Sequence, residues 1–479
     1  MSHDAIAALP ASLLNLLIPL AVLLRPGNYE NFLTAMVGWI LTRGRHTVSG
    51  ALRAHGPGVI EKHFSTIYDF FSRGRWSPDV LGEALFGILL PRLPGMIHVL
   101  IDDTLCRKTG PHLWGAGMHH DAVASTYGRF GATARHVAFA FGHNFVVLAL
   151  WIPLPWSESG IALPILFRLY RSKKLAPTAE YRKRTELARE LLNILRGWNG
   201  DHGTGKRILV LADAEYSCKT LMQEKPEEVD FLGPLPRKAA LFDRPPPRTK
   251  RRGPPCKKGN RLPSPGEWAK DESPWQKICV PMYGKRVSIL IKTRVCLWYG
   301  VTKIRLIRVV LTRDPTGRLA DRAFFSTDPK MPARLILSIY SRRWPLEVTF
   351  HDVKQFLGLE DPQNGWWRRP SGSSAPEKKA GPNPQGDRGR RAVERTVPAI
   401  FFTYTLVYLW YLDHGHPEQD TARAHAAAPW YRSKKAPSFP DILATLRWEI
   451  LRGKIQANPD LARVTQQIEL VLHEQLRAA

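Results

Sequence analysis

MIHVLIDDTLCRKTG, residues 96–110, places two adjacent aspartates directly after an apolar run. The run at 96–101 predicts a buried strand, because a short apolar segment with polar ends is typical of one. A second run, ILVLADAEY at 208–216, ends in the same way at Asp213. Carboxylates at strand ends project into the crevice where α/β sheets bind ligands. The runs predict an α/β core with an acidic edge, although such aspartates also fit a turn or a helix cap.

A third acid lies in YSRRWPLEVTFHDVK, residues 340–354. On an ideal helix, four of its side chains fall within about 60° of one another: Tyr340, Arg343, Glu347 and Lys354. Pro345 removes a backbone donor, so we expect a helix to restart there, with the upstream pair on a preceding helix or turn. The pattern predicts either a metal-binding carboxylate among donors to phosphate or a solvated stripe of ion pairs.

Asp103, Asp213 and Glu347 are the candidates for a shared metal site. Three hard oxygen ligands with open coordination positions suit Mg²⁺ or Mn²⁺. Two such ions, about 3.5–4 Å apart, can hold the attacking and the leaving oxygen of an in-line phosphoryl transfer. The three acids together therefore favour metal-dependent phosphoryl transfer.

The chain is strongly basic, with 69 Lys plus Arg against 42 Asp plus Glu and a formal net charge of +27. Its apolar fraction of 44% is ordinary for a globular protein, so the charge favours a polyanionic partner. Nucleic acid is the first candidate, an anionic membrane surface is the second, and a generally basic protein is the third. The five cysteines form no CxxC pair, which fits a reducing, cytosolic setting.

Two apolar stretches resemble membrane segments, at residues 13–24 and 399–412. Both are shorter than the roughly 18 residues that a membrane-spanning helix needs. They therefore predict buried helices.

Shifts in composition and periodicity divide the chain into six predicted regions. They are a helical N-terminal DNA-binding region at 1–95, the first part of the core at 96–236, a basic β-rich insertion domain at 237–330, the helix with Glu347 at 331–368, a disordered linker at 369–391 and a helical C-terminal region at 392–479.

These motifs resemble one family of transposases. The spacing Y-x2-R-x3-E-x6-K, from Tyr340 to Lys354, is similar to the YREK signature of insertion-sequence DDE transposases. IDDT at 101–104 resembles the strand of their first aspartate, and LADAEY at 211–216 resembles that of their second. Residues 25–53 also resemble their N-terminal region, so the resemblance covers most of the chain.

The resemblance implies an α/β catalytic core, with an RNase H-like mixed sheet interrupted by a β-rich insertion domain, and helical N-terminal and C-terminal regions. It implies that Asp103, Asp213 and Glu347 are catalytic and hold two Mg²⁺ ions, for which Mn²⁺ would substitute. Asp102 and Asp103 cannot both face the site, because side chains alternate along a strand. We choose Asp103 because the threonine after it matches the family pattern.

Four residues are predicted to contact DNA. By the resemblance, Tyr340, Arg343 and Lys354 contact DNA near the transposon end and do not bind metal. Trp298 ends a basic strand of the predicted insertion, and aromatic rings among Lys and Arg suit stacking on unpaired or flipped bases. Burial in the β core is the alternative for this tryptophan.

The predicted function is that of a DNA transposase, which cuts at terminal inverted repeats and joins the freed 3′-OH to target DNA. The predicted partners are double-stranded DNA with terminal inverted repeats, target DNA and a second copy of the chain in a homodimer on DNA, without a membrane. The expected location is the cytoplasm of a prokaryotic cell, with nucleoid association. The alternatives are a transposase-derived DNA-binding or regulatory protein without turnover, and a metal-dependent nuclease without strand transfer.

Overall fold

The computed structural model describes residues 6, 9–56, 59–109, 113–121, 123–125, 137–247, 255–362, 385–431 and 433–456. Helices form most of the described N-terminal region, as predicted. Their bounds are α1 Ala11–Leu23, α2 Pro26–Leu41, α3 Val48–Ala54, α4 Ser65–Ser72 and α5 Pro78–Leu89. Local caps explain two of the starts, since Thr47 accepts a hydrogen bond from the backbone of Gly50 and Ser77 accepts one from Asp79.

The core sheet begins with the strand predicted by the opening stretch. Its first six strands are β1 Met96–Arg107, β2 Gly117–His120, β3 Phe139–Leu154, β4 Ser157–Tyr170, β5 Arg207–Ala212 and β6 Val229–Pro234. They lie in the order β4-β3-β1-β5-β6, and the short β2 also pairs with β3. The pairs β1/β3 and β3/β4 are antiparallel, whereas β1/β5 and β5/β6 are parallel. This mixed α/β sheet is consistent with an RNase H-like core.

The region at 237–330 is rich in strands, and these strands extend the core sheet. Its elements are β7 Leu241–Phe242, β8 Arg261–Leu262, β9 Gln276–Met282, β10 Lys285–Leu297, β11 Leu306–Arg313 and β12 Arg322–Ser326, with short helices at Pro265–Trp268 and Tyr299–Thr302. The link is an antiparallel ladder between β12 and β6, in which Phe325 lies opposite Gly233. The described residues thus form one sheet of 12 strands, and a separate insertion domain stays a prediction.

Helices cover both faces of the core sheet. The remaining long helices are α6 Arg184–Asp201, α7 Ala333–Tyr340, α8 Trp344–Phe356, α9 Asp387–His414, α10 Pro417–Ala427 and α11 Phe439–Gln456. Two adjacent residues of β4 show how the faces are divided. Phe167 stacks on Phe401 of α9, with 5.1 Å between ring centroids, while Arg168 binds Glu190 of α6 at 2.6 Å. Successive strand residues point to opposite faces, so α9 and α6 lie on opposite sides.

Buried helices account for the two apolar stretches. Residues 396–411 of α9 are all buried, and Leu13, Leu17 and Leu20 of α1 face the core. None of the helices in the described ranges has the length and apolarity needed to cross a membrane. Residues 369–384 of the predicted linker lie outside the described residues, and α9 begins at Asp387, inside the predicted linker.

Candidate active site

Asp102 lies in the middle of β1, which continues to Arg107 and does not end at the aspartates as predicted, whereas Asp213 follows the end of β5, so both acids lie at the edge where β5 ends. Strand β1 runs parallel to β5, and Ile101 lies beside Ala212 in the register of this pair. The residues that follow are Asp102 on β1 and Asp213 after β5, so they lie at the same level. The side chain of Asp213 closes the turn, because its Oδ1 accepts hydrogen bonds from the backbone nitrogens of Glu215 at 2.8 Å and Tyr216 at 3.1 Å.

Glu347 lies in the first turn of α8, next to this edge. Helix α7 ends at Tyr340, a short 3₁₀ helix covers Ser341–Arg343, and α8 starts at Trp344 with Pro345 in its first turn. The predicted interruption at the proline is therefore present, and it separates Tyr340 and Arg343 from the helix of Glu347. A carboxylate in the first turn is favourable, since the N-terminal end of a helix carries partial positive charge.

Arg343 connects Glu347 to the middle of β1. Its Nη1 donates to Asp102 Oδ2 at 2.8 Å, and its Nη2 donates to Glu347 Oε1 at 2.5 Å. Burial by itself would lower the pKa of Arg343, yet the carboxylates of Asp102, Glu347 and Asp213 raise it above its ordinary value. The guanidinium therefore stays charged and holds two of the acids together.

Asp102 is the most perturbed acid at this edge. Burial raises its pKa to about 7; Arg343 acts in the opposite direction, and the charges of Asp213 and Asp103 add to the rise. The influence of Asp213 on Asp102 agrees with their shared level in the sheet. Because strongly shifted acids cluster at functional sites, this edge is the best candidate for chemistry in the described chain.

Asp103 points to the opposite face of the sheet. Asn144 Nδ2 donates to its Oδ2 at 2.7 Å, Arg184 Nη1 donates to the same oxygen at 3.0 Å, and the hydroxyl of Tyr216 donates to its Oδ1 at 3.1 Å. Glu347 lies on the other side, together with Asp102. Alternation along β1 therefore places Asp103 on the face opposite the side on which α8 packs, and the choice between Asp103 and Asp102 as the first acid stays a prediction.

The DNA-contact candidates are in three different environments. Tyr340 packs on Phe324, with 4.7 Å between ring centroids, beside Arg343. The Nζ of Lys354 donates to the carbonyl of Leu105 at 2.7 Å, so this lysine joins α8 to β1. Trp298 is only 7% exposed, and its ring contacts Phe325. Burial, the alternative interpretation of Trp298, is what the structure shows, and its stacking on a base stays a prediction.

The donor chemistry at the edge suits a divalent cation, but the side chains are held by Arg343. The acids Asp102, Asp213 and Glu347 offer the hard oxygens that Mg²⁺ prefers. Within the described ranges, no group of three His, Cys, Asp or Glu side chains is arranged so that it could hold a metal ion. The guanidinium of Arg343 lies between Asp102 and Glu347 and supplies the positive charge there.

Sequence reasoning missed three residues around the edge. Arg184 and Tyr216 bind Asp103, and Arg342 lies over the ring of Trp151 while its Nη1 contacts His98 Nδ1 at 2.9 Å. No local pattern marks them, because their partners are far away in sequence. The alternation of side chains along β1 was the one available signal, and it separated the two aspartates without showing which face α8 covers.

One comparison with known proteins gives a match. The profile of the family described as DDE superfamily endonuclease matches residues 24–293, more than half of the chain. The match includes Asp102, Asp103 and Asp213 and ends before Glu347. No curated protein matches the sequence. Enzymes of this superfamily act on DNA and generally use divalent metal ions. With aspartates at the same level of two neighbouring strands in a mixed α/β sheet and a family profile over most of that sheet, the chain belongs to the DDE superfamily of endonucleases.

Proposed function

We propose that the protein is a DNA transposase that cuts at the inverted-repeat ends of its element and joins the freed 3′-OH to target DNA. One observation carries the proposal: Asp102 in the middle of β1 lies at the same level as Asp213, which follows the end of β5, and Arg343 connects Asp102 to Glu347 on α8. The order aspartate, aspartate, glutamate along the chain agrees with the family. In this proposal Asp102 replaces Asp103 as the first acid.

Asp102, Asp213 and Glu347 would hold the divalent metal ions. When bound, two Mg²⁺ ions supply an activated water and stabilise the oxygen that leaves. Mn²⁺ would substitute, because it accepts the same oxygen ligands. Arg343 would give up at least one carboxylate to the metal, which leaves its planar guanidinium free to bind a phosphate with two parallel hydrogen bonds.

The charge of the protein supports DNA as the substrate. The chain has a formal net charge of +27, and from Lys277 to Arg313 it contains nine basic residues and no acid. Strands β9–β11 lie within this range, and Lys277, Lys285 and Arg286 are exposed on them. A polyanion would bind such a surface by releasing counterions, in a salt-dependent manner.

The test uses the open reading frame with its flanking DNA as the substrate and the purified protein with Mg²⁺. We expect cuts that leave 3′-OH groups at the ends of the element, and joined products when target DNA is added. Alanine at Asp102, Asp213 or Glu347 should abolish cutting while DNA binding stays near the wild-type level. Asp201→Ala, which removes an exposed carboxylate at the end of α6, is the matched control and should cut normally.

The outcomes separate the proposal from its alternatives. Cutting without joined products would indicate a nuclease without strand transfer. Binding of the end DNA without any cutting would indicate a regulatory protein. Normal cutting by Asp102→Ala would remove that residue from the mechanism and would contradict the site proposed here.

A further inference from the structure

We infer that Asp103 is a positioning residue, which holds the turn carrying Asp213 from the face of the sheet opposite the candidate site. The inference rests on the proposed function, since it assigns Asp213 a place at the metal site. It concerns the polar cluster formed by Asp103, Asn144, Arg184, Glu215 and Tyr216. The proposed chemistry makes no use of this cluster.

Asp103 is the centre of the cluster. Its Oδ1 accepts from the Tyr216 hydroxyl at 3.1 Å, and its Oδ2 accepts from Asn144 at 2.7 Å and from Arg184 at 3.0 Å. The same Arg184 forms a second ion pair, between its Nε and Glu215 Oε1 at 2.9 Å. One carboxylate thus binds Tyr216 directly and Glu215 through an arginine.

Glu215 and Tyr216 are also the residues that hold Asp213. Their backbone nitrogens donate to Asp213 Oδ1 at 2.8 and 3.1 Å. The backbone of this turn therefore faces Asp213, while the Tyr216 side chain binds Asp103 directly and the Glu215 side chain binds it through Arg184. If the two side chains lose their partner, the turn loses its connection to β1, and Asp213 loses the donors that orient it.

Burial strengthens the contact between Asp103 and Tyr216, whereas the Arg184–Glu215 ion pair is partly exposed. Tyr216 is fully buried, and the side chain of Asp103 is 16% exposed. Burial raises the pKa of Tyr216, and the charges of Asp103 and Asp102 act in the same direction, so its hydroxyl remains a donor. Hydrogen bonds to a charged acceptor in a site with little water are stronger than those between neutral groups. The carboxylate of Asp103 accepts three side-chain donors, which neither an alanine nor an asparagine could match.

The inference predicts a change in metal dependence rather than a simple loss of activity. Groups that orient metal ligands typically affect metal affinity or activity about 10- to 100-fold. In Asp103→Ala, Asp213 would still be present but poorly oriented. A higher Mg²⁺ concentration should then compensate for the weaker site, which no Mg²⁺ concentration could do if the ligand itself were missing.

The experiment measures single-turnover cleavage of end DNA as a function of Mg²⁺ concentration. For Asp103→Ala and Tyr216→Phe, we expect the half-saturating Mg²⁺ concentration to rise about 10-fold or more, with the rate at saturation within about threefold of wild type. The matched control is Asp79→Ala, which removes a carboxylate bound to Arg168 through both oxygens on the same face of the sheet. This control should leave the half-saturating concentration unchanged. A lower maximal rate with unchanged half-saturation in both test variants would overturn the inference.

A second measurement does not depend on catalysis. Amide hydrogen exchange in the metal-free protein should be faster at Glu215 and Tyr216 in both test variants and unchanged in Asp79→Ala, because exchange reports local opening. Exchange at wild-type rates in the folded Tyr216→Phe variant would also overturn the inference, even if Asp103→Ala failed to fold. Asp102→Ala distinguishes the two claims: normal cleavage by that variant contradicts the proposed function, whereas the exchange result decides the role of Asp103.

Discussion

Two arginines, each bound to two carboxylates, lie on opposite faces of the sheet beside the middle of β1. Arg343 connects Asp102 to Glu347, and Arg184 connects Asp103 to Glu215. The two aspartates are adjacent in sequence and similarly exposed, at 18% and 16% of the side chain. Their surroundings nevertheless differ, because the two side chains point to opposite faces of the sheet, which different helices cover.

The two aspartates differ in how many hydrogen bonds each carboxylate accepts from side chains. Asp103 accepts hydrogen bonds from three side chains, whereas Asp102 accepts one from Arg343 and one from the backbone nitrogen of Asp103. On the face of the sheet to which Asp102 points (the Asp102 face), Asp213 adds a further negative charge, and burial raises the pKa of Asp102 to about 7. A cluster of acids that lacks compensating positive charge is suited to bind a cation. An acid whose oxygens already accept several hydrogen bonds is suited to a structural role.

The largest expected effect is the difference in cleavage between variants of the two aspartates. Asp102→Asn should reduce cleavage of end DNA at least about a thousandfold, because preorganised charge at the reacting centre is lost. Asp103→Asn should cost less than about tenfold at saturating Mg²⁺, since Asp103 faces away from Glu347 and its loss weakens the Mg²⁺ site rather than removing one of its ligands. Single-turnover cleavage of a pre-assembled end complex measures both. Equal losses in the two variants would remove the distinction between the faces.

The second prediction concerns the arginine of the Asp102 face. Arg343→Lys should reduce cleavage by about 10- to 100-fold, because an ammonium cannot reproduce a planar fork that binds two groups at once. DNA affinity should fall much less. The matched change is Arg184→Lys on the other face, which we expect to alter the Mg²⁺ dependence rather than the maximal rate. A wild-type rate for Arg343→Lys would mean that its two ion pairs are only structural.

A fall in pH should destabilise the fold on the Asp102 face, because two histidines are buried there in the neutral form. His98 and His143 lie on this face by the register of β1 and β3, and burial lowers the pKa of each to about 3. Unfolded histidine binds a proton near its ordinary pKa of 6.5, so the stability from each neutral ring is present above that pH and is lost as the pH falls towards 3. At pH 5 we expect a loss of about 2 kcal/mol for each histidine.

Denaturant unfolding between pH 7.5 and 5 measures this loss. The His98→Gln variant cannot take up a proton at this position, so its stability should fall less steeply with acid than that of the wild type. Parallel curves for the two proteins would show that His98 does not remain neutral in the fold.

The smallest expected effect is at Lys354, whose Nζ donates to the carbonyl of Leu105. Lys354→Ala should slow cleavage by less than about tenfold and cost roughly 1 kcal/mol of stability, as expected for a partly exposed hydrogen bond. Lys285→Ala, at an exposed lysine of β10, is the control and should leave stability unchanged. A loss of cleavage without any loss of stability would instead favour the DNA contact that the resemblance implies.

Local sequence patterns predicted several elements well. The apolar run at 96–101 lies in β1, the run ending at Asp213 is β5, and the proline at 345 interrupts the helix as expected. These predictions succeeded because strand alternation, apolar runs and the missing donor of proline act within a few residues. The β composition of 237–330 was also correct, but the sequence contains no signal that β12 pairs with β6 and extends the core sheet.

The sequence alone determined that aspartates follow apolar strand-forming runs in a basic chain, and that Asp102 and Asp103 face opposite ways. Only the tertiary structure decided which of them lies on the side of Glu347, since Arg343 binds both Glu347 and Asp102, the latter 241 residues earlier in the chain. It also decided that Trp298 is buried against Phe325. The physical reason is the same in both cases: a strand has two equivalent faces, and the packing of distant helices and strands decides what covers each one.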